Sequence, residues 1–386
     1  MFKLLKQGTV YAPEIIGKKD ILMAGSVIAA VEDEIQVTGL PVEVIDCQGR
    51  IITPGFVDQH VHLTGGGGEG SFSTRTPEVA LSDITLSGIT TVVGCLGTDG
   101  ITRSMESLFA KAKGLEEEGI STWIYSGSYE LPLNTITGSL RKDMVCIDKV
   151  LGAGEVAVSD HRSSAPTKTE IEQLVAQARV GGLLSGKPGV VHLHMGHGKD
   201  GLSMIREILS ESEIPIYHFR PTHCNKNKRL LLESVEFARM GGIIDLTASQ
   251  PVSADCPYTK AASCLQFLMD EKVPMDRITM STDGNGSRPV FAQDGSLERI
   301  TVSPLDTLLA VMREAVLELK LPMEQILPVI TSNPADHLMM QKKGHIRLGM
   351  DADINVFSGN LELEQVWARG IKMVDQGKAV RKGTYE

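Results

Sequence analysis

The sequence predicts an α/β protein, a (β/α)8 TIM-like barrel with a small β-sandwich domain built from both chain ends. Eight short apolar runs recur roughly 25 to 35 residues apart, the rhythm of repeated βα units. Helix-like stretches separate these runs, and both ends of the chain alternate β-type runs with turn residues. The expected domains are residues 1–53 and 341–386 for the β domain and 54–340 for the barrel.

The β domain is expected from short runs of aliphatic and β-branched residues bounded by turn residues, a pattern typical of strands. The N-terminal runs cover residues 9–11, 20–23, 26–31 and 42–46, and the C-terminal runs cover 352–357, 364–368 and 370–374. We expect the two ends to build one domain together.

The barrel is expected from eight runs that each precede a longer stretch of helical character. The runs cover residues 55–60, 89–94, 121–125, 155–160, 190–194, 216–219, 243–247 and 278–283. Helical spacing is clear at residues 171–178 and 230–238. An open doubly wound sheet shares this alternation. Eight units with polar residues at the strand ends favour the closed barrel.

Composition excludes several classes of protein. The chain has 386 residues, a net charge of −10 and 4% aromatic residues, which argues against a nucleic-acid partner. No apolar stretch reaches the roughly 18 residues of a membrane helix, and residues 1–8 lack the apolar segment of a signal peptide. The six cysteines contain no C-x-x-C pair, which favours reduced thiols and a cytoplasmic location.

A histidine pair ends the first apolar run of the barrel. His60 and His62 are two positions apart, and alternate residues of a strand face the same side. Both imidazoles can then point at one ion at the C-terminal mouth of the barrel, where active sites of this fold lie. Two core or surface histidines would share this spacing by chance. The longer string Pro-Gly-Phe-Val-Asp-x-His-x-His, at residues 54–62, is a more specific signal.

Other histidines and a carboxylate end later runs. His192 and His194 end the fifth run on one face, so that spacing does not choose between them; His223 follows the sixth run and Asp283 ends the eighth. Such ligands suit zinc, which lowers the pKa of bound water and polarises a carbonyl. The convergence predicts hydrolytic chemistry, with Asp283 moving a proton from water to a leaving amine.

The chain resembles the amidohydrolase superfamily and, within it, the isoaspartyl dipeptidases along essentially its whole length. The string at residues 54–62 carries this resemblance, together with a series of ordered motifs. The motifs lie at residues 65–69, 97–99, 127–129, 159–163, 194–196, 221–225, 281–287, 333–335 and 344–353.

The resemblance implies two zinc ions per subunit. His60, His62 and Asp283 would hold one ion, and His194 and His223 the other, with a bridging hydroxide as nucleophile. The family pattern favours His194 over His192, which would lie one layer deeper. His161, His197 and His218 are interpreted as structural or as supporting the ligands.

One position departs from the family pattern. Isoaspartyl dipeptidases usually bridge the metals with a carbamylated lysine at the end of the fourth strand, and the corresponding residue here is Glu155. Both groups present an anionic carboxylate, although glutamate is shorter by roughly 3–4 Å. We expect Glu155 to bridge the ions. The alternative is a structural ion pair beside a mononuclear site.

The resemblance also implies a set of residues for a small dipeptide substrate. Glu69 would bind the substrate amine, Arg162 and Lys226 its carboxylates, and Tyr129 the scissile carbonyl as an oxyanion stabiliser. Ser287 is expected to donate to a carboxylate and Thr98 to contact the substrate backbone. Lys226 stands where the family usually has arginine. Lysine keeps the positive charge but lacks the paired N–H groups with which arginine binds a carboxylate at two points. Solvated surface charge is the alternative for Glu69, Arg162 and Lys226.

Together these residues predict a metal-dependent dipeptidase that hydrolyses the β-aspartyl isopeptide bond. The alternative is a related amidohydrolase acting on another small amide, such as an N-acyl amino acid deacylase or a cyclic amidohydrolase. A non-catalytic assembly protein would be signalled by lost metal ligands, and the histidines and aspartate are present. The resemblance further implies a homo-oligomer, an octamer by family pattern.

Overall fold

The computed structural model describes residues 2–253, 256–291 and 297–386. The chain begins with five strands, which are β1 (Phe2–Tyr11), β2 (Ile15–Ala24), β3 (Val27–Glu32), β4 (Val42–Asp46) and β5 (Ile51–Pro54). Every strand run expected in the N-terminal part lies within or overlaps one of these strands. The predicted bounds were too short for β1 and β2, because their exposed polar residues interrupt the apolar pattern.

Eight strands then form a curled parallel arrangement, as predicted. They are β6 (Phe56–Val61), β7 (Ile89–Gly94), β8 (Ser121–Ser126), β9 (Val150–Val158), β10 (Val190–Met195), β11 (Phe219–Thr222), β12 (Ile244–Thr247) and β13 (Ile278–Ser281). Strands β6 to β11 form one sheet in chain order, and β12 pairs with β13. Main-chain hydrogen bonds from Cys224 to Asp245 and from His62 to Gly284 join the remaining edges.

Strand β9 begins five residues before the predicted run because glycines interrupt its apolar pattern. Gly152 lies beside Val190, and a β-carbon at position 152 would approach the Val190 carbonyl oxygen to 2.0 Å. Glycine therefore allows β9 and β10 to approach closely here. The predicted sixth strand begins later than expected, at Phe219, since residues 216–218 form a 3-10 turn after Pro215.

Helices follow the strands and cover the barrel. They are α1 (Leu81–Thr85), α2 (Met105–Glu118), α3 (Leu140–Cys146), α4 (Lys168–Ser185), α5 (Ser203–Glu211), α6 (Lys228–Arg239), α7 (Ala261–Asp270), α8 (Thr307–Arg313), α9 (Met323–Ile326) and α10 (Ser332–His337). Short 3-10 helices lie at Phe72–Thr74, Ile216–His218, Pro257–Thr259, Met275–Arg277 and Leu327–Ile330, and a π-helical turn, Glu314–Glu318, continues α8. Among the described residues, no helix combines the length and apolar character needed to cross a membrane.

An antiparallel pair of strands, β14 (Ser287–Phe291) and β15 (Leu297–Val302), follows β13. Four more strands lie in the C-terminal part of the chain. These are β16 (Ile354–Phe357), β17 (Leu363–Ala368), β18 (Ile371–Asp375) and β19 (Lys378–Ala379). Their order with the N-terminal strands is β19-β18-β17-β16-β5-β1-β2-β3, which confirms that both chain ends build one separate sheet. The sheet branches at β1, which pairs with β4 along its first half and with β5 near its end. The precise domain boundaries stay a prediction.

A polar layer inside the barrel supports the mouth. The Gln59 side-chain amide donates hydrogen bonds to Asp245 (2.7 Å) and Thr279 (2.6 Å). Thr222 and Ser281 donate to the second Asp245 oxygen, each at 2.6 Å. Buried carboxylates are tolerated when they accept hydrogen bonds in this way. The layer ties β6, β11, β12 and β13 together directly beneath the candidate site.

Candidate metal centre and substrate pocket

Six predicted metal ligands lie together at the C-terminal ends of the barrel strands. The side chains of His60 and His62 come from β6 and the residue after it, with ring centroids 5.3 Å apart. Asp283 follows β13, and its Oδ1 lies 3.1 Å from Nε2 of His62 and 3.4 Å from Nε2 of His60. Asp283 has a left-handed backbone with φ of 54°, which turns the chain at the mouth.

Glu155 lies between the two sets of histidines. One oxygen, Oε2, is 3.1 Å from Nε2 of His60 and 3.8 Å from Nε2 of His62. The other oxygen, Oε1, is 2.6 Å from Nδ1 of His194 and 3.1 Å from Nε2 of His223. The shorter glutamate therefore reaches both sets of ligands from β9.

The structure separates the two histidines that spacing left equivalent. His194 contacts Glu155 and His223, with its Nδ1 2.9 Å from the His223 Nε2. His192 lies deeper, where its Nε2 is 3.0 Å from Nδ1 of His60 and its ring stacks on Tyr125. His192 thus contacts the Nδ1 edge of the His60 ring, and the His60 Nε2 is directed at Glu155.

The donor set fits divalent metal ions. Two groups of ligand atoms lie close enough to hold an ion: His60, His62, Cys95 and Glu155 form one, and Glu155, His194 and His223 form the other. Nε2 of His60 and Oε2 of Glu155 are buried without a hydrogen-bond partner, although they lie 3.1 Å apart. Buried polar atoms without partners are costly, and a cation between them would satisfy both.

Cys95 is a metal-site neighbour that the sequence interpretation missed. Its sulfur lies 3.9 Å from Nδ1 of His62, and the side chain is fully buried just beyond the end of β7. In the sequence, the position of Cys95 between a buried strand and the predicted substrate residue Thr98 could have indicated that it lies near the site. Scattered cysteines without paired spacing gave no reason to single it out.

The electrostatics match a site built for positive charge. Burial opposes ionisation of Glu155, but His60 and His194 hold its pKa well below the ordinary value. Burial likewise opposes ionisation of Asp283, and the hydrogen bond from His62 with the charge of His60 lowers its pKa. Burial lowers the pKa of His223 to about 3, aided by His194 and Lys226. Both carboxylates are therefore anionic and His223 is neutral at pH 7, the forms that bind metal.

The predicted substrate residues line one cavity of about 590 Å³ above the metal ligands. Glu69 lines this cavity and accepts hydrogen bonds from Thr98 (2.9 Å) and Ser287 (3.0 Å). Arg162 Nη1 lies 3.2 Å from the same carboxylate. An anionic group and a guanidinium thus lie side by side on the pocket wall, as a zwitterionic ligand requires.

Tyr129 and Lys226 reach the pocket beside His194. The Tyr129 hydroxyl lies 2.7 Å from Nδ1 of His194, and burial with the charge of Glu155 raises the pKa of Tyr129 well above its ordinary value. The hydroxyl therefore keeps its proton at neutral pH. Lys226 Nζ donates to the Met195 carbonyl oxygen (2.9 Å) and lies 3.4 Å from Nε2 of His194; burial lowers its pKa to about 8.

Three histidines that were not predicted as metal ligands, His161, His197 and His218, lie in different surroundings. His161 has a side chain that is 90% exposed, and His197 lines the cavity. His218 lies outside the mouth, where Nδ1 donates to the Gly189 carbonyl oxygen and Nε2 is 3.2 Å from Arg179.

Comparison with known proteins assigns the chain to a family. The sequence pattern of the amidohydrolase family matches residues 51–380, which is most of the chain. The chain belongs to the amidohydrolase family. The match begins at β5 and covers every predicted metal ligand and substrate residue.

Solved structures show how far the similarity extends. The chain is similar to a beta-aspartyl dipeptidase from Fervidobacterium islandicum AW-1, solved in complex with a beta-Asp-Leu dipeptide. Identity is 43%, the TM-score is 0.92, and the match covers 98% of this chain and 97% of that one. A D-hydantoinase from a Bacillus sp. AR9 shares the fold, with a TM-score of 0.67 at 16% identity over 99% and 97% of the two chains.

Curated relatives of this amidohydrolase are similar over shorter stretches. A dihydroorotase from Staphylococcus aureus is 29% identical over 180 residues, which is 46% of this chain and 40% of that protein. A dihydroorotase from Listeria monocytogenes is 31% identical over 227 residues, 55% of this chain and 49% of that protein. The chain thus spans about half the length, or less, of these relatives.

Proposed function

We propose that this amidohydrolase is a metal-dependent dipeptidase that hydrolyses the β-aspartyl bond of isoaspartyl dipeptides. The main support is the position of Glu69 and Arg162, 3.2 Å apart on the wall of a cavity that is also lined by four predicted metal ligands, His62, His194, His223 and Asp283. An isoaspartyl dipeptide carries a free α-amine and two carboxylates around its scissile amide. The pocket offers an anion for the amine and cations for the acids.

We propose two zinc ions per subunit, with Glu155 as the bridging ligand. His60, His62 and Asp283 would hold one ion and His194 and His223 the other. Bound ions would lower the pKa of coordinated water and polarise the scissile carbonyl. Imidazole and carboxylate donors suit zinc among the divalent metals.

The protein's own groups complete the reaction. Asp283 is anionic and lies at the mouth with a side chain 28% exposed, so it can take the proton of the attacking water and deliver it to the leaving amine. Tyr129 keeps its proton, so its hydroxyl could donate to the carbonyl oxygen as negative charge develops if His194 held an ion.

Substrate orientation follows from the charges around the cavity. Glu69 would exchange its contact with Arg162 for the substrate amine, which frees Arg162 to bind a carboxylate through two N–H groups. Ser287 and Lys226 supply further donors in the same cavity. Orienting a short substrate at both ends lowers the entropic cost of reaching the transition state.

The second candidate is a cyclic amidohydrolase or an N-acyl amino acid deacylase. The similarity to dihydroorotases over part of the chain favours it. A cyclic amide or an N-acyl amino acid lacks the free α-amine for which Glu69 is placed. The pocket therefore supports the dipeptidase more strongly.

The test compares substrates on zinc-loaded protein. We expect β-Asp-Leu to be cleaved far faster than α-Asp-Leu, dihydroorotate, hydantoin or N-acetyl-aspartate. Equal rates on the two aspartyl dipeptides would defeat the specificity assignment, and preferred hydrolysis of a cyclic amide would favour the second candidate. The homo-oligomeric state stays a prediction that light scattering can test on the same sample.

A further inference from the structure

A second carboxylate, from the loop that follows β9, contacts His194 on the side opposite Glu155. Asp160 Oδ2 lies 3.1 Å from Nε2 of His194, and Glu155 Oε1 lies 2.6 Å from Nδ1 of the same ring. The imidazole is therefore held between two carboxylates, one from β9 and one from the loop that follows it. If Nε2–H donates to Asp160, Nδ1 presents its lone pair to the metal centre.

The same carboxylate holds Arg162 in a two-point ion pair. Asp160 Oδ1 accepts from the Arg162 Nε at 3.0 Å, and Oδ2 accepts from Nη2 at 3.1 Å. The Arg162 main-chain N–H also donates to Oδ1, at 2.8 Å. This geometry fixes the plane of the guanidinium and leaves Nη1 directed at Glu69.

Arg162 and His194 meet at the same Asp160 oxygen, Oδ2. Nη2 of Arg162 lies 3.2 Å from Nε2 of His194. Asp160 Oδ2 lies within hydrogen-bond distance of both groups and can accept from the guanidinium and, when Nε2 carries the ring proton, from His194. The Asp160 side chain is only 3% exposed, which limits competition from water.

We propose that Asp160 is a positioning residue that links the metal centre to the substrate pocket. It orients the Nδ1 of His194 toward the ion and presents Arg162 to a substrate carboxylate. The His161 ring lies 3.6 Å from Asp160 Oδ1 on a side chain that is 90% exposed, so that contact contributes little. The substrate half of this inference rests on the proposed function, and the metal half requires only that the site binds ions.

The experiment measures metal binding and kinetics in Asp160→Asn and Asp160→Ala. We expect Asp160→Ala to weaken the binding of one zinc ion by about 10- to 100-fold, as is usual when the partner of a ligating histidine is lost. Asp160→Asn keeps the shape and one acceptor oxygen, so its loss should be smaller. Competition with a fluorescent chelator gives the affinities, and the absorption spectrum of the cobalt-loaded proteins reports the ligand geometry.

Steady-state kinetics supply the second readout. Because Arg162 loses its anchor, both variants should raise KM for β-Asp-Leu, and Asp160→Ala should also lower kcat through the displaced His194. A residue that only stabilised the loop would lower the melting temperature and leave metal affinity and the cobalt spectrum unchanged.

Asp143→Asn is the matched control. Asp143 is a buried carboxylate outside the site, and it accepts hydrogen bonds from Ser126, Ile136 and Thr137 at 2.6 to 3.1 Å. We expect this variant to lose stability and keep wild-type metal affinity. Wild-type affinity for both ions in the two Asp160 variants would overturn the inference. If the Asp160 variants changed metal binding as expected but the wild-type protein cleaved no dipeptide, only the proposed function would be wrong.

Discussion

Glu155 Oε1 lies 2.6 Å from Nδ1 of His194, and both side chains are buried. The second oxygen of the same carboxylate lies 3.1 Å from His60 on the opposite side of the site. One glutamate thus reaches the two groups of candidate ligands, although it is shorter than a carbamylated lysine. This relationship makes the bridging assignment directly testable.

Glu155→Gln should lower the number of tightly bound zinc ions below two per chain. The neutral amide keeps the size of the side chain but removes the charge that both groups of ligands share. Elemental analysis after gel filtration checks this expectation. Glu116→Gln is the control, because Glu116 pairs with Lys113 and Lys149 away from the mouth. A wild-type protein that holds a single tight ion would contradict bridging.

Asp283→Asn should lower kcat at least about 100-fold, since the amide cannot accept the proton of the attacking water. The fold should persist, because the amide fits the same space beside His62. Turnover of β-Asp-Leu and a circular dichroism melt measure the two effects. Asp276→Asn, at an exposed side chain paired with Arg277, should match wild type. Substantial activity in Asp283→Asn would count against its role as base.

Lys226→Met should raise KM by about 10- to 100-fold, the usual cost of losing a hydrogen bond to a charged group. Lys226→Arg should keep a low KM, because guanidinium can bind a carboxylate through two N–H groups. Initial rates across a range of dipeptide concentrations separate KM from kcat. Lys228→Met changes an exposed lysine at the start of α6 and serves as the control. An unchanged KM in Lys226→Met would remove Lys226 from the binding set.

His337 should make the folded state less stable in acid. Its Nε2 donates to the Asp276 carbonyl oxygen at 2.6 Å, and burial together with Arg220 lowers its pKa from 6.5 to about 4. The unfolded chain therefore binds more protons between these values, so this contribution to stability is complete above pH 6.5 and falls as the pH drops toward 4.

The His337→Gln variant isolates this effect, since glutamine can donate the same hydrogen bond without titrating. Urea unfolding from pH 4 to pH 7 should show the wild type losing more stability than the variant as the pH falls. Parallel curves for the two proteins would show that His337 does not contribute.

The sequence alone determined the architecture and most of the candidate site. Apolar runs at regular spacing predicted the eight barrel strands, since buried parallel strands need nearly continuous apolar residues. The alternation of a strand placed His60 and His62 on one side, and the position of Asp283 after an apolar run placed it at the same mouth. These are local properties, so a linear pattern is sufficient to show them.

Only the tertiary structure decided contacts between distant segments. His192 and His194 share a strand face, and the packing of the closed sheet brings His192 to His60 and His194 to Glu155. Cys95 lies in no motif, and Asp160 lies in the motif at residues 159–163 without a predicted role, because the importance of both depends on rings carried by other strands. Side-chain distances across a closed sheet depend on strand tilt and register, which no spacing along a single strand encodes.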